Sequence, residues 1–178
     1  MPSEIGLSFN LSAHDLASSE TVIGIVATVH ESWFDPHRLT LELNETALMR
    51  DFACADAALR TLRTLGISTA LDDFGTGYSS LGYVHRLPLD KIKIDRSFMA
   101  NIKSDRGSRI ITSILHLCQN LGLDSIAEGV ETAEQLTAVR RHGFRYVQGY
   151  LIGRPVSIDV LLTQSWVSSP AALENLCA

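Results

Sequence analysis

An α/β fold with a mostly parallel sheet is the architecture this sequence predicts. Short apolar runs alternate with longer amphipathic stretches. Most of the short runs end in a polar residue, often an acid. Glycines stand just past several of the amphipathic stretches, where helices stop.

Residues 5–10 read as the first strand. Residues 20–33 read as a helix, because Val22, Ile23, Ile25, Val26 and Val29 recur at helical rather than alternating spacing. Residues 39–44 form the second strand, and 52–65 a helix stopped at Gly66. Residues 68–72 are the third strand. The turn Gly75-Thr76-Gly77 and a short helix near 79–85 follow it, and Pro88 marks the break before the next element. Residues 91–94 are the fourth strand. The clearest helix is 105–121, with Ile110, Ile111, Ile114, Leu115 and Cys118 on one side and Gly122 as its stop. Residues 125–128 are the fifth strand, 132–141 a helix stopped by Gly143, and 146–148 the sixth strand. One weak helix follows Pro155.

The chain of 178 residues suits one domain. Its net charge of −5 speaks against a dedicated nucleic-acid binder, so no DNA partner is expected. A phosphate ligand stays open, because bound metal ions reverse the local field. Cys54, Cys118 and Cys177 stand far apart and form neither a disulfide framework nor a zinc spacing, which suits a reducing, cytoplasmic setting. No apolar run approaches the roughly 18–20 residues of a membrane span, and residues 1–6 do not read as a signal peptide. A (β/α)₈ barrel takes about 250 residues. Six strands in this length leave a barrel two βα units short, whereas a doubly wound open sheet takes six without loss. Arithmetic by itself favours the open sheet.

The strand ends carry the chemistry. Asn10 ends the first strand, and Glu42 lies in the second with Glu45 just after it. Asp72 and Asp73 end the third, Lys93 and Asp95 close the fourth, Glu128 ends the fifth and Gln148 the sixth. One acid at one strand end is usually a helix cap. Acids or amides at every end point instead to a shared mouth, where parallel barrels build their active sites. An all-oxygen set suits hard divalent cations such as Mg²⁺ or Mn²⁺. Adjacent Asp72 and Asp73 could serve two ions of the kind that assists phosphodiester hydrolysis. Lys93 fits two roles equally by spacing: holding the attacking water or phosphate charge, or a structural ion pair with Asp95 or Asp72. Gly75-Thr76-Gly77 is a weak dinucleotide fingerprint, because Ser80 occupies the third glycine position. Met49 and Met99 read as packing. Metal-assisted enolisation would use similar residues.

The run Asp72-Asp73-Phe74-Gly75-Thr76-Gly77-Tyr78-Ser79-Ser80-Leu81 resembles the signature loop of the EAL-domain cyclic di-GMP phosphodiesterases. Asn10-Leu11-Ser12-Ala13 resembles that family's NLSA strand end, and Leu41-Glu42-Leu43-Asn44-Glu45-Thr46 its ELTES-like segment. Lys93-Ile94-Asp95 matches KID, and Ala127-Glu128-Gly129-Val130-Glu131-Thr132 matches AEGVET. Gln148-Gly149-Tyr150 and Arg154-Pro155 match the closing QGY and RP, all in the family's order. The resemblance implies a modified TIM barrel and a bacterial signalling hydrolase that cleaves cyclic di-GMP to linear pGpG with two Mg²⁺ or Mn²⁺ ions. By motif position it makes Asn10, Glu42 and Asp72 metal ligands, with Asp73 on the second metal or its waters. Lys93 and Glu128 would hold the catalytic water, the metal shell and the phosphate, and Gln148 would support them. Glu45 would anchor the loop 72–80, and Glu131 would lie just behind the ligands. The loop, with Phe74, Gly75, Thr76 and Gly77, belongs to the family's usual homodimer interface.

Two departures stand out. Asn44 replaces a common threonine beside Glu42, and no Glu-Ala-Leu strand precedes Asn10. Residues 1–178 are therefore expected to be a single EAL-like domain, incomplete at its N-terminus, with about six of the eight βα units of a TIM-type barrel. The missing strand supplies a metal-binding glutamate in the family, so low hydrolysis by this chain alone is expected. The alternative reading is a non-catalytic cyclic di-GMP-binding or protein-interaction module.

Overall fold

Local capping signals set the element boundaries. The computed structural model describes residues 5–44, 51–75 and 84–163. Strand β1 (Leu7–Leu11) gives way at Ser12 to helix α1 (Ala13–Ala17). The Asp15 N–H donates to Ser12 Oγ at 3.3 Å, and the Ser12 N–H donates to the Asp15 carboxylate at 2.8 Å. This is a reciprocal capping box. Five residues are too few to show a period, so hydrophobic spacing misses this helix; the Ser-x-x-Asp pattern is the signal that marks it.

Helix α2 (Ser19–Glu31) and a 3₁₀ turn (Pro36–Arg38) lead to β2 (Leu39–Asn44) and α3 (Phe52–Thr64). Then come β3 (Ser68–Phe74), β4 (Lys91–Ile94), the short α4 (Arg96–Ala100), α5 (Asp105–Leu121) and β5 (Asp124–Ala127). The described chain closes with α6 (Ala133–His142), β6 (Tyr146–Val147) and α7 (Ile158–Thr163). Most of the helix predicted near 79–85 lies outside the described residues. Within α2, Val22, Ile25, Val26 and Val29 pack on the core as their spacing predicts, but Ile23 is 67% exposed.

Among the described residues, the six strands are all parallel and neighbour one another in sequence order. A doubly wound sheet must reverse its order at a switch point, and no reversal occurs here. The arithmetic preference for an open doubly wound sheet is therefore corrected. Right-handed crossovers in an unreversed order place the helices on one face, and the sheet curls into half of a TIM-type barrel.

Register sorts the side chains between the two faces. One set of paired rows carries Phe9, Leu41 and Thr69, then Leu11, Leu43, Leu71, Ile92 and Ser125. Apart from Phe9 on the edge strand, which is 67% exposed, these positions face the helices, where Leu59, Leu62, Ile111, Cys118 and Val139 complete a buried cluster. Each fully buried leucine or isoleucine there contributes about 1.5–3 kcal/mol. The alternating row carries Asn10, Glu42, Ala70, Lys91 and Asp124 and lines the concave face. The core therefore sits between sheet and helices, leaving the polar set to the inside of the curl.

Helix α6 starts at a second capping box, in which the Gln135 N–H donates to Thr132 Oγ1 at 3.2 Å and the Thr132 N–H donates to Gln135 Oε1 at 3.1 Å. Thr132→Ala is expected to cost about 1 kcal/mol, read as a lower urea midpoint with an unchanged m-value. An unaltered midpoint would show that the box adds nothing. Among the described residues, no helix is long and apolar enough to cross a membrane.

Candidate active site

Lys93 organises the concave face. It stands near the end of β4, between Ile92 and Ile94, which both turn into the helix-side core. Its Nζ lies 2.7 Å from Glu42 Oε2, 2.8 Å from Glu128 Oε1 and 2.9 Å from Asp72 Oδ1. An ammonium has three hydrogens to donate, and three carboxylates on three other segments take them. The contact with Glu42 crosses β3, where the inward residue is the small Ala70. The Lys93 side chain is only 4% exposed. Burial alone would favour the neutral amine, but the bonds to Glu128, Glu42 and Asp72 outweigh it and raise its pKa above the ordinary lysine value. Of the two structural partners that spacing allowed, Asp72 pairs with Lys93, and Asp95 instead caps α4 by accepting the Ser97 N–H at 2.9 Å.

Two consecutive acids reach one site because the strand is irregular there. Residues i and i+1 of a regular strand point to opposite faces. The β3–β4 register breaks between Leu71 and Phe74, and Asp73 has φ +54°, in the left-handed region. Such bulges re-aim side chains beside functional sites, and aspartate is among the few side chains that visit this region routinely. Asp72, Asp73 and Glu128 consequently bring one carboxylate oxygen each to within 4.8 Å of one another. The Asp73 N–H donates to Asp72 Oδ1 at 3.0 Å. Burial and the charges of Asp72 and Asp95 push the Asp73 carboxyl above its usual pKa, with Lys93 and Arg96 pulling the other way. Glu128 is also raised, chiefly by burial, against the opposing pull of Lys93.

Three carboxylates around one ammonium leave an excess of negative charge, and Asp73 adds to it. A site of this composition attracts cations, and its oxygen donors match hard divalent ions. Asn10 lies opposite Glu42 in the β1–β2 register, exposed at the edge of the same face. Gln148 follows β6; its N–H donates to Ala127 O at 2.8 Å and its carbonyl accepts the Val130 N–H at 3.1 Å, which ties it beside Glu128. A Cβ on Gly149 would stand 2.2 Å from Val130 O, so this close approach admits only glycine. Glu131 is exposed, and its N–H donates to Gln135 Oε1 at 2.8 Å; its carboxylate is not in the Asp72–Asp73–Glu128 cluster. Phe74 is buried at the end of β3, and Gly75 sits against Phe98. Glu45, Thr76 and Gly77 lie outside the described residues.

Sequence reasoning missed Asp90. Its carboxylate accepts the Thr69 N–H at 2.8 Å, while Thr69 Oγ1 donates to Pro88 O at 2.8 Å. These bonds pin the start of β3 to the segment before β4, so Asp72 and Lys93 leave the sheet side by side. An acid before a strand carries no periodic signal by which it could be found.

A family profile described as EAL domain matches residues 1–155. The chain is 40% identical over 156 residues to the cyclic di-GMP phosphodiesterase NbdA of Pseudomonas aeruginosa, covering 87% of this chain and 20% of that protein. It spans about a fifth of the length of the curated relatives it matches first. The structure resembles that of the PaMucR phosphodiesterase in complex with c-di-GMP, with a TM-score of 0.81 and 37% identity over 88% of this chain and 64% of that one. It also resembles Klebsiella pneumoniae BlrP1 with cy-diGMP and calcium, with a TM-score of 0.78 and 33% identity over 84% of this chain and 39% of that one. For the BlrP1 complex with cy-diGMP and manganese, the TM-score is 0.79 and the identity 32%, over 86% and 40% of the two chains.

Proposed function

Because this chain belongs to the EAL domain family, we propose that it hydrolyses cyclic di-GMP to linear pGpG, assisted by two divalent ions, Mg²⁺ or Mn²⁺, held at the mouth of the half-barrel. The observation that carries this reading is the convergence of Asp72, Asp73 and Glu128 within 4.8 Å, around an ammonium that also grips Glu42. The residues fit the ions, because every donor is oxygen and the excess charge is negative. Asp72, Asp73 and Glu128 would hold them, with Glu42 and Asn10 completing the set. The bound ions would activate a water and stabilise the leaving oxygen.

The remaining work falls to the chain's own residues. Lys93 keeps the acids from springing apart and offsets part of the negative charge that a phosphate must approach. Gln148 supports Glu128 from β6. By the family resemblance Glu131 would support the ligands from outside their cluster, and Glu45 would anchor the loop 72–80, through which two copies would pair. Water adds to phosphorus, one ring P–O bond breaks, and the released ribose oxygen takes the proton. This reading places the protein in the cytoplasm and needs no DNA partner.

Single-turnover incubation of the purified chain with cyclic di-GMP and Mn²⁺ tests the reading, with pGpG resolved by ion-exchange chromatography. Metal-dependent pGpG is expected at a low rate, as the missing strand implies, together with a further loss on the order of 10²-fold or more in Asp72→Asn. Binding of the dinucleotide in Ca²⁺ without any turnover in Mn²⁺ would favour a non-catalytic binding module. Neither binding nor turnover would sink both readings.

A further inference from the structure

We propose that Arg96 binds a phosphate oxygen of the dinucleotide and so completes the substrate site on the rim of the mouth; this rests on the function proposed above. Arg96 opens α4 directly after β4, three residues beyond Lys93. Its backbone is held against the β5–α6 connection. A Cβ built on Gly129 would lie 2.3 Å from Arg96 Cβ, and Gly129, with φ +67°, is the residue next to Glu128. The arginine stem therefore stands between the Lys93 and Glu128 strand ends. Its side chain is exposed, and among the described residues it forms no ion pair within 4.0 Å. Its charge is nevertheless felt at Asp73 and Asp95.

The contrast with Lys93 is informative. All three Lys93 hydrogens go to carboxylates, which leaves that ammonium none to spare for an anionic substrate. Asp72, Asp73, Glu42 and Glu128 repel a phosphodiester until cations cover them. A guanidinium placed beside them, exposed and without an ion-pair partner among the described residues, supplies a planar two-pronged donor that fits phosphate oxygens.

Calorimetric titration tests this with two probes on the 178-residue chain: cyclic di-GMP in Ca²⁺, and Mn²⁺ alone. Arg96→Ala is expected to weaken dinucleotide binding about tenfold, with Arg96→Lys in between. Mn²⁺ binding is expected to hold or tighten, because a cation near Asp73 has been removed. Weaker dinucleotide binding with Mn²⁺ binding held or tightened, at an unchanged melting temperature, is the signature of a substrate contact. Wild-type affinity for the dinucleotide in Arg96→Ala overturns the inference, and so does equal weakening for both probes, which would mean that Arg96 only shapes the carboxylates. Absence of dinucleotide binding by the unsubstituted chain is a separate result: it overturns the proposed function, and this inference with it.

Discussion

Replacing Lys93 with alanine is expected to destabilise the metal-free protein by about 3–5 kcal/mol. The figure follows from what the ammonium leaves behind. Glu42, Asp72 and Glu128 converge on one point within 2.9 Å of Nζ, and the Lys93 side chain is 4% exposed. Without it, three partly buried carboxylates face one another with no cation between them. Equilibrium urea unfolding in a chelator reads the loss as a lower midpoint. Adding Mn²⁺ should restore more stability to Lys93→Ala than to the parent, because an ion binding only the folded state stabilises it by mass action. Equal midpoints in chelator would mean that water already screens the cluster. The pH dependence has a definite sign. The folded pKa of Lys93 is raised, so its contribution is complete below the unfolded lysine value of about 10.4 and is lost only as pH climbs through the higher folded value. The deficit of Lys93→Ala should therefore be undiminished between about pH 7 and 9 as far as Lys93's own titration is concerned.

Leu59→Ala is expected to cost about 2–5 kcal/mol, the second large effect. Leu59 lies on α3 with Ala55, Ala58 and Leu62, all buried. That helix packs against β3, α1 and α2, so the cavity would open where several elements meet. Rigid strands on one side limit collapse into the space, and the transfer and cavity contributions add. The volume-conserving Leu59→Met should cost under about 1.5 kcal/mol. Thermal and urea midpoints of the pair separate lost volume from general sensitivity of the helix. Matching losses in both variants would show that shape rather than volume governs the position.

The elements were legible because their signals are local. The spans 39–44, 91–94 and 105–121 have the bounds predicted for them, since apolar periodicity and flanking caps or glycines mark each. Ile23 was misplaced because it neighbours the helix stripe in spacing, yet among the described residues no partner element covers it. The acids of the site were legible as a recurrent feature of strand ends, and the ordered motifs linked them to a family before any geometry. Their meeting was not legible. Nothing near Lys93 in the chain says that Glu42, 51 residues away, accepts its hydrogen bond, nor that Asp73 turns left-handed to join Asp72.

By itself, the sequence determined most of the strands and longer helices, the bounds of those with clear periodicity and caps, and which polar groups stand at the strand tips. These follow from backbone sterics, capping and the alternation of side chains over a few neighbouring positions. Only the tertiary structure decided that the sheet runs in unreversed order, that its polar rows fall on the inside of the curl, and that one ammonium sits among three acids. Those outcomes depend on strand register and burial between segments far apart in the chain, where the free energy of closing the sheet outweighs any local preference.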